Sequence, residues 1–543
     1  MNGSPSLRPT GLAGLSWFEL LGADVAPVRS DGPVRSDGPV RSDRAVGELR
    51  FTGVTADSRL VQPGDLYVAV PGASRHGADF VAEALRRGAL AVLTDPAGED
   101  RALAAASSQA GAAPVAVLPQ PKSLIPLLAD RVYHHPAARL QLYGITGTNG
   151  KTTTAYLLQA ALRAAGQQVG LIGTIGYQLD DRRLESRRTT VTTPEAAELY
   201  ALLAVLVELG ADAVVMEVSS HALVLGRVDG LCFDVAAFTN FGSDHLDFHH
   251  DLDSYFAAKA SLFTRRRAAR AVINVDDPRG QQLIDQAHRE GLTEVRSVSL
   301  DGPADYTAAD RRSAGKGRTA IAVSTPAGVV PAILGMPGEF NVRNALTALA
   351  MAELAGIDLA TAAGGLHNAV VPGRMQRIPL GPAGSGRGEA PAVFVDFAHT
   401  PQAVGAVLAT LAGHRRIVVL GCGGDRDPEK RAPMGAAAVA GAELVVVTDD
   451  NPRTEDPAAI RAEVLRGATA EVARSGRNVT VVDGGSRRKA IAAALAAAGP
   501  DDVVAILGKG HERGQEIAGA VVPFADEDAV REVWAELVDG GSR

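Results

Sequence analysis

The sequence predicts an α/β protein of three domains. Its 543 residues exceed what one hydrophobic core usually holds. Short apolar runs of strand-like composition also alternate with helical stretches along most of the chain, which is typical of sheets covered by helices. We expect a small N-terminal α/β domain over residues 1–140, a central domain over 141–375 and a C-terminal α/β domain over 376–543.

In the N-terminal domain, strand-like runs at 66–70, 89–94 and 115–118 alternate with helical patterns such as 80–87. Before them, residues 27–43 repeat the hexapeptide PVRSDG almost three times. Proline, glycine, serine and balanced charge cannot bury a core, so the repeat is predicted to be a flexible surface insertion.

The central and C-terminal domains show the same alternation. In the central domain a strand at 140–146 leads through a glycine-rich loop into a helix, which predicts a parallel sheet of the P-loop ATPase type. The C-terminal pattern predicts a Rossmann-like α/β domain. The remaining predicted strands are 169–172, 213–218, 235–239 and 271–274, then 392–396, 416–420, 444–448, 479–482 and 503–507.

Composition narrows the class of protein. The net charge of −8 argues against a nucleic-acid or anionic-membrane binder, which would carry a basic surface. Only two cysteines occur, Cys232 and Cys422, so a disulfide framework is excluded and a reducing compartment fits. Because we find neither a good signal peptide nor an apolar run long enough to cross a bilayer, we expect a cytoplasmic protein without membrane insertion.

The strongest motif is the glycine-rich segment from Gly144 to Thr154, GITGTNGKTTT. A strand that enters a helix through such a loop offers backbone N–H groups and the helix dipole to phosphate. Lys151 can reach the terminal phosphates, and the Thr152 hydroxyl can hold Mg²⁺. The general P-loop pattern has a glycine at the position of Ile145 in this chain. By itself the motif indicates only ATP or GTP binding.

Polar residues follow further strands of the central domain. Glu217 ends a predicted strand, where ligands of α/β sheets gather, and its hard oxygens suit Mg²⁺. His245 follows the next strand in a segment without cysteine or HExxH spacing, which argues against a structural zinc site. The spacing of Lys259 alone predicts that it lies on the solvent-exposed face of a helix.

Together these segments resemble the Mur ligase family, which includes the folylpolyglutamate synthetases. Residues 146–152, TGTNGKT, are similar to that family's phosphate loop, which has its glycine at position 147. The resemblance implies an ATP-dependent amide ligase that needs Mg²⁺, with Lys259 carbamylated by CO₂ into an anionic ligand. It implies catalytic roles for Lys151, Glu217, His245 and Lys259, and a metal site of Thr152, Glu217, His245 and Lys259. The implied ATP-binding residues are Gly147, Thr148, Asn149, Gly150, Lys151, Thr152, Thr153, Asn341, Asn344, Arg374, Asp396 and His399.

Within the family, the chain is most similar to members that extend UDP-N-acetylmuramoyl-L-Ala-D-Glu by a diamino acid, through an acyl phosphate. The resemblance implies that the UDP-muramoyl substrate contacts Ser58, Thr192, Thr193, Ser220 and Arg227. A glutamine usual in the family two residues before Arg227 is Leu225 here. Small-molecule substrates and a monomer are expected.

The identity of the diamino acid depends on Asp450-Asn451-Pro452-Arg453, which matches the pattern of members that add meso-2,6-diaminopimelate. A guanidinium can grip the distal carboxylate of that substrate with two parallel hydrogen bonds, whereas L-lysine has no such carboxylate. The full implied set is Arg426, Asp450, Asn451, Pro452, Arg453, Gly508 and Glu512.

Three alternatives stay open at this stage. A folylpolyglutamate-synthetase-like ligase is disfavoured by the separate N-terminal domain, and a lysine-adding ligase by Arg453. A regulator that binds nucleotide without ligation is disfavoured because Lys259, Arg374, His399 and Arg453 occur together.

Overall fold

The computed structural model describes residues 7–22, 48–72, 74–108, 113–185, 191–242, 244–315, 317–381 and 389–540. The predicted insertion at 27–43 lies outside these ranges. The chain divides into two compact units. One comprises Met1–Thr307 with Leu346–Gly365, and the other Ala308–Ala345 with Leu366–Arg543.

The first unit begins with a four-stranded parallel sheet in the order β1-β2-β3-β4. Its strands are β1 (Gly53–Thr55), β2 (Asp65–Ala69), β3 (Ala91–Thr94) and β4 (Val115–Val117). Its helices are α1 (Trp17–Leu21), α2 (Val81–Arg86), α3 (Glu99–Ser107) and α4 (Pro121–Val132). The pattern 80–87 is confirmed as α2, whereas the three-residue β1 is too short for its pattern to stand out.

The same unit contains an eight-stranded sheet in the order β12-β11-β10-β5-β9-β6-β7-β8. Its strands are β5 (Gln141–Thr146), β6 (Val169–Gly173), β7 (Gly176–Leu179), β8 (Arg182–Leu184), β9 (Ala213–Glu217), β10 (Phe233–Phe238), β11 (Ala268–Asn274) and β12 (Glu294–Val298). Its helices are α5 (Lys151–Ala164), α6 (Ala196–Glu208), α7 (Ser220–Val224), α8 (Leu246–His249), α9 (Leu252–Ala260) and α10 (Gly280–Arg289).

Within the described residues, the β6–β7 and β7–β8 pairs of this sheet are antiparallel and its other pairs are parallel. The carboxyl ends of β5, β6, β9 and β10 therefore lie at one edge, which is where ligands bind in open α/β sheets. This edge carries Thr146, Gly173, Glu217 and Phe238 as the last strand residues.

A three-stranded sheet follows, formed by β13 (Thr307–Ser313), β14 (Thr319–Thr325) and β15 (Gly328–Leu334). Next come α11 (Glu339–Leu354), whose residues divide between the two units at Ala345, and α12 (Leu359–Gly365) of the first unit. Short 3-10 turns occur at Ser58–Leu60, Gly77–Phe80, Pro136–Arg139 and Leu366–Asn368.

The second unit is built on a six-stranded sheet in the order β16-β17-β21-β18-β19-β20, in which only β16 is antiparallel. Its strands are β16 (Gln376–Ile378), β17 (Ala392–Asp396), β18 (Arg416–Cys422), β19 (Leu444–Asp449), β20 (Thr480–Gly485) and β21 (Val503–Leu507), followed by a hairpin of β22 (Gly514–Ile517) and β23 (Ala520–Pro523). Its helices are α13 (Pro401–Thr410), α14 (Arg431–Gly441), α15 (Pro457–Ser475), α16 (Arg487–Ala496) and α17 (Asp526–Gly540). The predicted α/β class is confirmed.

A buried ion pair joins the first residues of α16 and α17. Arg487 donates from Nε and Nη2 to the two oxygens of Asp526 at 2.6 and 2.7 Å, and neither side chain is exposed. Arg487 also donates to the Leu507 carbonyl at 3.0 Å. The pair thus anchors both helices at the carboxyl end of β21.

Replacing Asp526 with alanine is expected to lower the free energy of unfolding by about 3–5 kcal/mol, because it leaves the Arg487 charge buried without its partner. Urea denaturation followed by circular dichroism measures the loss. Glu536→Ala, which removes one of two carboxylate partners of the half-exposed Arg488, is the control and should cost about 1 kcal/mol or less. Equal losses in both variants would contradict the argument.

Candidate active site

The phosphate loop connects β5 to α5 at the carboxyl edge of the eight-stranded sheet. Gly147 and Gly150 have φ angles of 149° and 88°, a backbone conformation that residues with a Cβ rarely adopt. A Cβ at Gly147 would lie 1.9 Å from Thr239 Oγ1. Position 145 instead lies inside β5 and is fully buried, so an isoleucine fits there. These contacts explain why the glycine stands at 147.

Neighbouring residues after β10 hold the loop in place. Asn240 accepts from the Asn149 amide through Oδ1 and donates to the Asn149 carbonyl through Nδ2, both at 2.9 Å. Thr239 Oγ1 donates to the same carbonyl at 2.6 Å. The backbone of the loop is therefore fixed before α5 begins, a preorganisation that anion binding requires.

Two lysines converge on one backbone oxygen of the loop. Lys151 Nζ donates to the carbonyl oxygens of Gly147 and Thr148 at 2.8 and 3.0 Å, and Lys259 Nζ donates to that of Gly147 at 2.9 Å. Lys259 is only 2% exposed, so the prediction that it lies on a solvent-exposed helix face is wrong. Burial, reinforced by the charge of Lys151, holds the pKa of Lys259 well below its ordinary value.

Glu217 ends β9 and is fully buried. Both of its carboxylate oxygens lie 3.0 Å from the donating Thr152 hydroxyl. Thr174 donates to the carboxylate through its amide at 2.9 Å and its hydroxyl at 3.0 Å. Thr174 was not among the predicted site residues, although it lies at the carboxyl end of a parallel strand, the signal that singled out Glu217.

The donor set at this edge suits Mg²⁺, which prefers hard oxygen ligands. A buried carboxylate and a loop hydroxyl are already in contact, at Glu217 and Thr152. Of the other two predicted ligands, Lys259 places Nζ 4.4 Å from the centre of the Tyr255 ring, and the His245 ring centre lies 6.1 Å from the same ring. Over the described ranges, no cluster of three or more His, Cys, Asp or Glu residues has metal-site geometry.

A cavity of about 580 Å³ in the first unit collects residues from its two sheets. Ser58 and Arg59 line it from the N-terminal sheet, and Arg227 and Leu225 line it from the segment after α7. Arg227 pairs with Glu195 at 2.6 Å, also at the cavity wall. The predicted contacts Ser58 and Arg227 are thus brought together, and the divergent Leu225 lies among them.

The remaining predicted contacts of this group connect the cavity wall to Glu217. Thr193 donates its hydroxyl to the Glu217 carbonyl at 2.8 Å, and its own carbonyl accepts from Arg227 at 3.1 Å. The Thr192 hydroxyl lies 3.2 Å from that of Thr174. Ser220 is buried, and its Oγ lies 2.9 Å from His249 Nε2. A polar path of hydrogen bonds therefore links Arg227 through Thr193 to the backbone carbonyl of Glu217, while Thr192 is linked through Thr174 to the Glu217 carboxylate.

In the second unit, Asp396 ends β17 and accepts from the amides of Met375 and Ala398 at 2.6 and 2.8 Å. Burial raises its pKa, against the opposing charge of Arg374. The Arg374 guanidinium lies 4.6 Å from the centre of the Phe397 ring. His399 is exposed and donates from Nδ1 to the Phe397 carbonyl at 2.8 Å.

Asn341 and Asn344 lie on the first turns of α11 and are buried. Asn341 donates to the Pro337 carbonyl at 2.7 Å. These two residues, Arg374, Asp396 and His399 all belong to the second unit, whereas the phosphate loop belongs to the first.

The residues predicted to bind the diamino acid gather after β19 and β21. Arg453, held at a φ of 52°, donates from Nε to Glu516 at 3.1 Å and from Nη1 to the Gly424 carbonyl at 2.6 Å. Asn451 donates to Glu512 Oε2 at 2.8 Å. Gly508 follows β21 next to Asp450, so that a Cβ there would lie 3.0 Å from Asp450 Oδ2.

The other two members of that set differ in position. Pro452 is buried between Asn451 and Arg453, whereas Arg426 is exposed on the loop after β18. Sequence reasoning missed Lys509 and Glu516 as partners in this cluster. The GKGHE segment was a signal for Lys509, but nothing in the sequence pairs Glu516 with Arg453.

A phosphate loop, a buried acidic residue on the adjacent strand and a second nucleotide-binding-type sheet define an ATP-binding α/β enzyme. Comparison with known proteins gives the family. Residues 50–129 match the Mur ligase family catalytic domain, 145–352 the Mur ligase middle domain and 373–510 the Mur ligase glutamate ligase domain. The chain belongs to the Mur ligase family, as the motifs predicted, and is an ATP-dependent ligase that forms amide bonds.

Its relatives extend over nearly the whole chain. A Streptomyces coelicolor protein named UDP-N-acetylmuramoyl-L-alanyl-D-glutamate–2,6-diaminopimelate ligase is 46% identical over 495 residues, 90% of this chain and 93% of its own. A Corynebacterium glutamicum protein of the same name is 41% identical, over 94% of this chain and 96% of its own. The solved structure of a protein with that name is 30% identical in sequence and has a TM-score of 0.66. The alignment covers 98% of this chain and 100% of the solved chain.

The predicted three-domain α/β architecture is confirmed by these matches, while the predicted boundaries at 140 and 375 stay predictions. None of the helices in the described ranges has the length and hydropathy needed to cross a membrane.

Replacing Gly173 with alanine is expected to lower kcat about 10²-fold, because its Cβ would lie 2.2 Å from Glu217 Oε1 and push the carboxylate aside. ATP-dependent phosphate release measures the effect. Gly364→Ala is the control, since a Cβ there meets nothing within 4 Å. An unchanged kcat in the Gly173 variant would show that the carboxylate position does not matter.

Proposed function

We propose that this chain joins meso-2,6-diaminopimelate to the D-Glu γ-carboxylate of UDP-N-acetylmuramoyl-L-Ala-D-Glu during synthesis of peptidoglycan precursors. The observation that carries the proposal is the cluster of Arg453, Asn451 and Glu512, which offers a guanidinium and a carboxylate to the two charges of a distal amino acid centre. The names of the relatives support the same substrate.

ATP is held by the phosphate loop in this proposal. The amides at the start of α5 and the Lys151 ammonium bind the phosphates, and release of Lys151 from the Gly147 and Thr148 carbonyls frees its donors for them. Glu217 and Thr152 would hold Mg²⁺, together with His245 and a carbamylated Lys259. When bound, the metal supplies neutralisation of the charge that develops on the transferring phosphoryl group.

Lys259 is suited to carbamylation because burial and the charge of Lys151 lower the pKa of its amine. The nitrogen lone pair attacks the carbon of CO₂ and the nitrogen loses a proton, which converts the amine into a carbamate anion. The lowered pKa increases the fraction of the unprotonated amine that this reaction requires.

The ligation itself has two steps. An oxygen of the γ-carboxylate attacks the terminal phosphorus of ATP, ADP leaves, and an acyl phosphate forms. The amine of the diamino acid then attacks the acyl carbon, inorganic phosphate leaves, and the amine gives up a proton. The cavity around Ser58 and Arg227 is proposed to bind the UDP-muramoyl substrate, and the polar path through Thr193 directs its peptide toward the phosphate loop.

We propose that each domain supplies one reactant: residues 1–140 the uridine nucleotide, 141–375 ATP and 376–543 the amino acid. Residues of the second unit are also proposed to bind the nucleotide: Asn341, Asn344, Arg374, Asp396 and His399. Cytoplasmic location and a monomeric state stay predictions.

The test is phosphate release by the full chain with ATP, Mg²⁺ and UDP-N-acetylmuramoyl-L-Ala-D-Glu, comparing meso-diaminopimelate with L-lysine. Stimulation by meso-diaminopimelate alone is expected. A preference for L-lysine would refute the proposed role of Arg453 but leave the family assignment unchanged. A lack of stimulation by either amino acid would refute the proposed substrates.

A further inference from the structure

Lys509, directly after Gly508, is fully buried in the diamino-acid cluster. Its Nζ donates to the Gly514 carbonyl at 2.6 Å, to Glu512 Oε2 at 2.8 Å and to Asn451 Oδ1 at 3.3 Å. A lysine ammonium has three N–H donors and a neutral amine only two. The three acceptors therefore fit the charged form and use all its donors, so Lys509 acts on other residues instead of on a ligand.

The hydrogen bonds to Glu512 end on one oxygen. Oε2 accepts from Lys509 and from Asn451 Nδ2, both at 2.8 Å. Asn451 is itself fixed, because its Oδ1 accepts from the Glu516 amide at 3.0 Å. The Glu512 side chain nevertheless stays 35% exposed. One side of the carboxylate is thus anchored to protein while the group remains accessible.

The charges around Glu512 keep it anionic. Burial alone would raise its pKa, but the charge and hydrogen bond of Lys509, followed by the Asn451 hydrogen bond, hold the pKa below its ordinary value. Three further groups face it: His511 also lowers its pKa, while Asp450 and Arg487 interact with it at longer range.

We propose that Lys509 is a positioning residue for amino-acid specificity, which binds Glu512 Oε2 and leaves Oε1 to receive the distal ammonium of the diamino acid. This inference rests on the proposed function. In this proposal, one buried lysine sets both the orientation and the charge of the Glu512 carboxylate, which binds the distal ammonium of the substrate. Arg453 binds the distal carboxylate of the substrate.

The test uses the full chain with Lys509→Met, which keeps the aliphatic length and removes the charge. The KM for meso-diaminopimelate is expected to rise about tenfold or more, because a charge-assisted hydrogen bond loses its geometry. The KM for ATP should stay within about twofold of the original value. Lys489→Met, at an exposed lysine of α16, is the matched control and should change neither.

The pH profile separates positioning from a general loss of structure. Without Lys509 the pKa of Glu512 rises, so the variant's KM for meso-diaminopimelate should increase more steeply than the original KM as the pH is lowered. In a Glu512→Gln background, Lys509→Met should add less than about a twofold change. A flat profile, or an equal rise in that background, would overturn the proposal.

If Lys509→Met does not fold, Lys509→Arg carries the test. Arginine keeps the charge but cannot make the same three bonds, so KM should rise with a flat pH profile; an unchanged KM would overturn the proposal. The two failures are distinguishable. A wild-type chain without diaminopimelate-dependent phosphate release would refute the proposed function, whereas an active wild type with Lys509 variants like Lys489→Met would refute only this inference.

Discussion

Replacing Lys259 with methionine is expected to lower kcat about 10²–10³-fold. Methionine fills the space of the buried aliphatic chain but has no amine to accept CO₂ or to donate to the Gly147 carbonyl. The loss should fall on kcat, since the anionic carbamate is proposed to act on the charge of the transferring phosphoryl group. Steady-state phosphate release gives kcat, and ADP binding by calorimetry checks that the site still folds.

The carbamate has its own readout. Activity of the original chain should fall in CO₂-depleted buffer and return with bicarbonate, while residual activity of the Lys259→Met variant should respond to neither. Lys489→Met again serves as the exposed-lysine control. If the variant kept kcat within about threefold, or if the original chain ignored bicarbonate, the proposed role of Lys259 would be wrong.

Replacing Arg453 with methionine is expected to lower kcat/KM for meso-diaminopimelate about 10²–10³-fold, because the distal carboxylate would lose its charged partner. Arg453→Lys should give an intermediate loss, since an ammonium keeps the charge without the planar fork. The low activity expected with L-lysine should change little in either variant, because that substrate has no distal carboxylate.

Competition assays with the two amino acids measure this selectivity. Arg466→Met, at an exposed position of α15, is the control for loss of an arginine. If activity fell equally with both amino acids, Arg453 would not bind the substrate. Its role would then be to stabilise the loop, through its hydrogen bonds to Glu516 and the Gly424 carbonyl.

The sequence was most informative where function depends on neighbours in the chain. The phosphate loop and Glu217 could be placed at the sheet edge because strand, loop and helix follow one another directly. The strands β7 and β8 escaped prediction because they are short and antiparallel in an otherwise parallel sheet.

Contacts between distant segments were beyond prediction from one sequence. The burial of Lys259 depends on how α9 packs beneath the phosphate loop, and its spacing alone indicated solvent. The partners of Arg453 and Glu512 come from the hairpin segment and the GKGHE segment. A pattern within one segment does not contain the identity of such partners.

The crowding at Gly147 links two positions that are far apart in the chain. An alanine at 147 would need a smaller residue at 239, but that change would remove the hydroxyl that holds the Asn149 carbonyl. The two positions are therefore constrained to vary together. A search motif restricted to the loop therefore describes half of this constraint in the chain, and Thr239 directly after β10 is the other half.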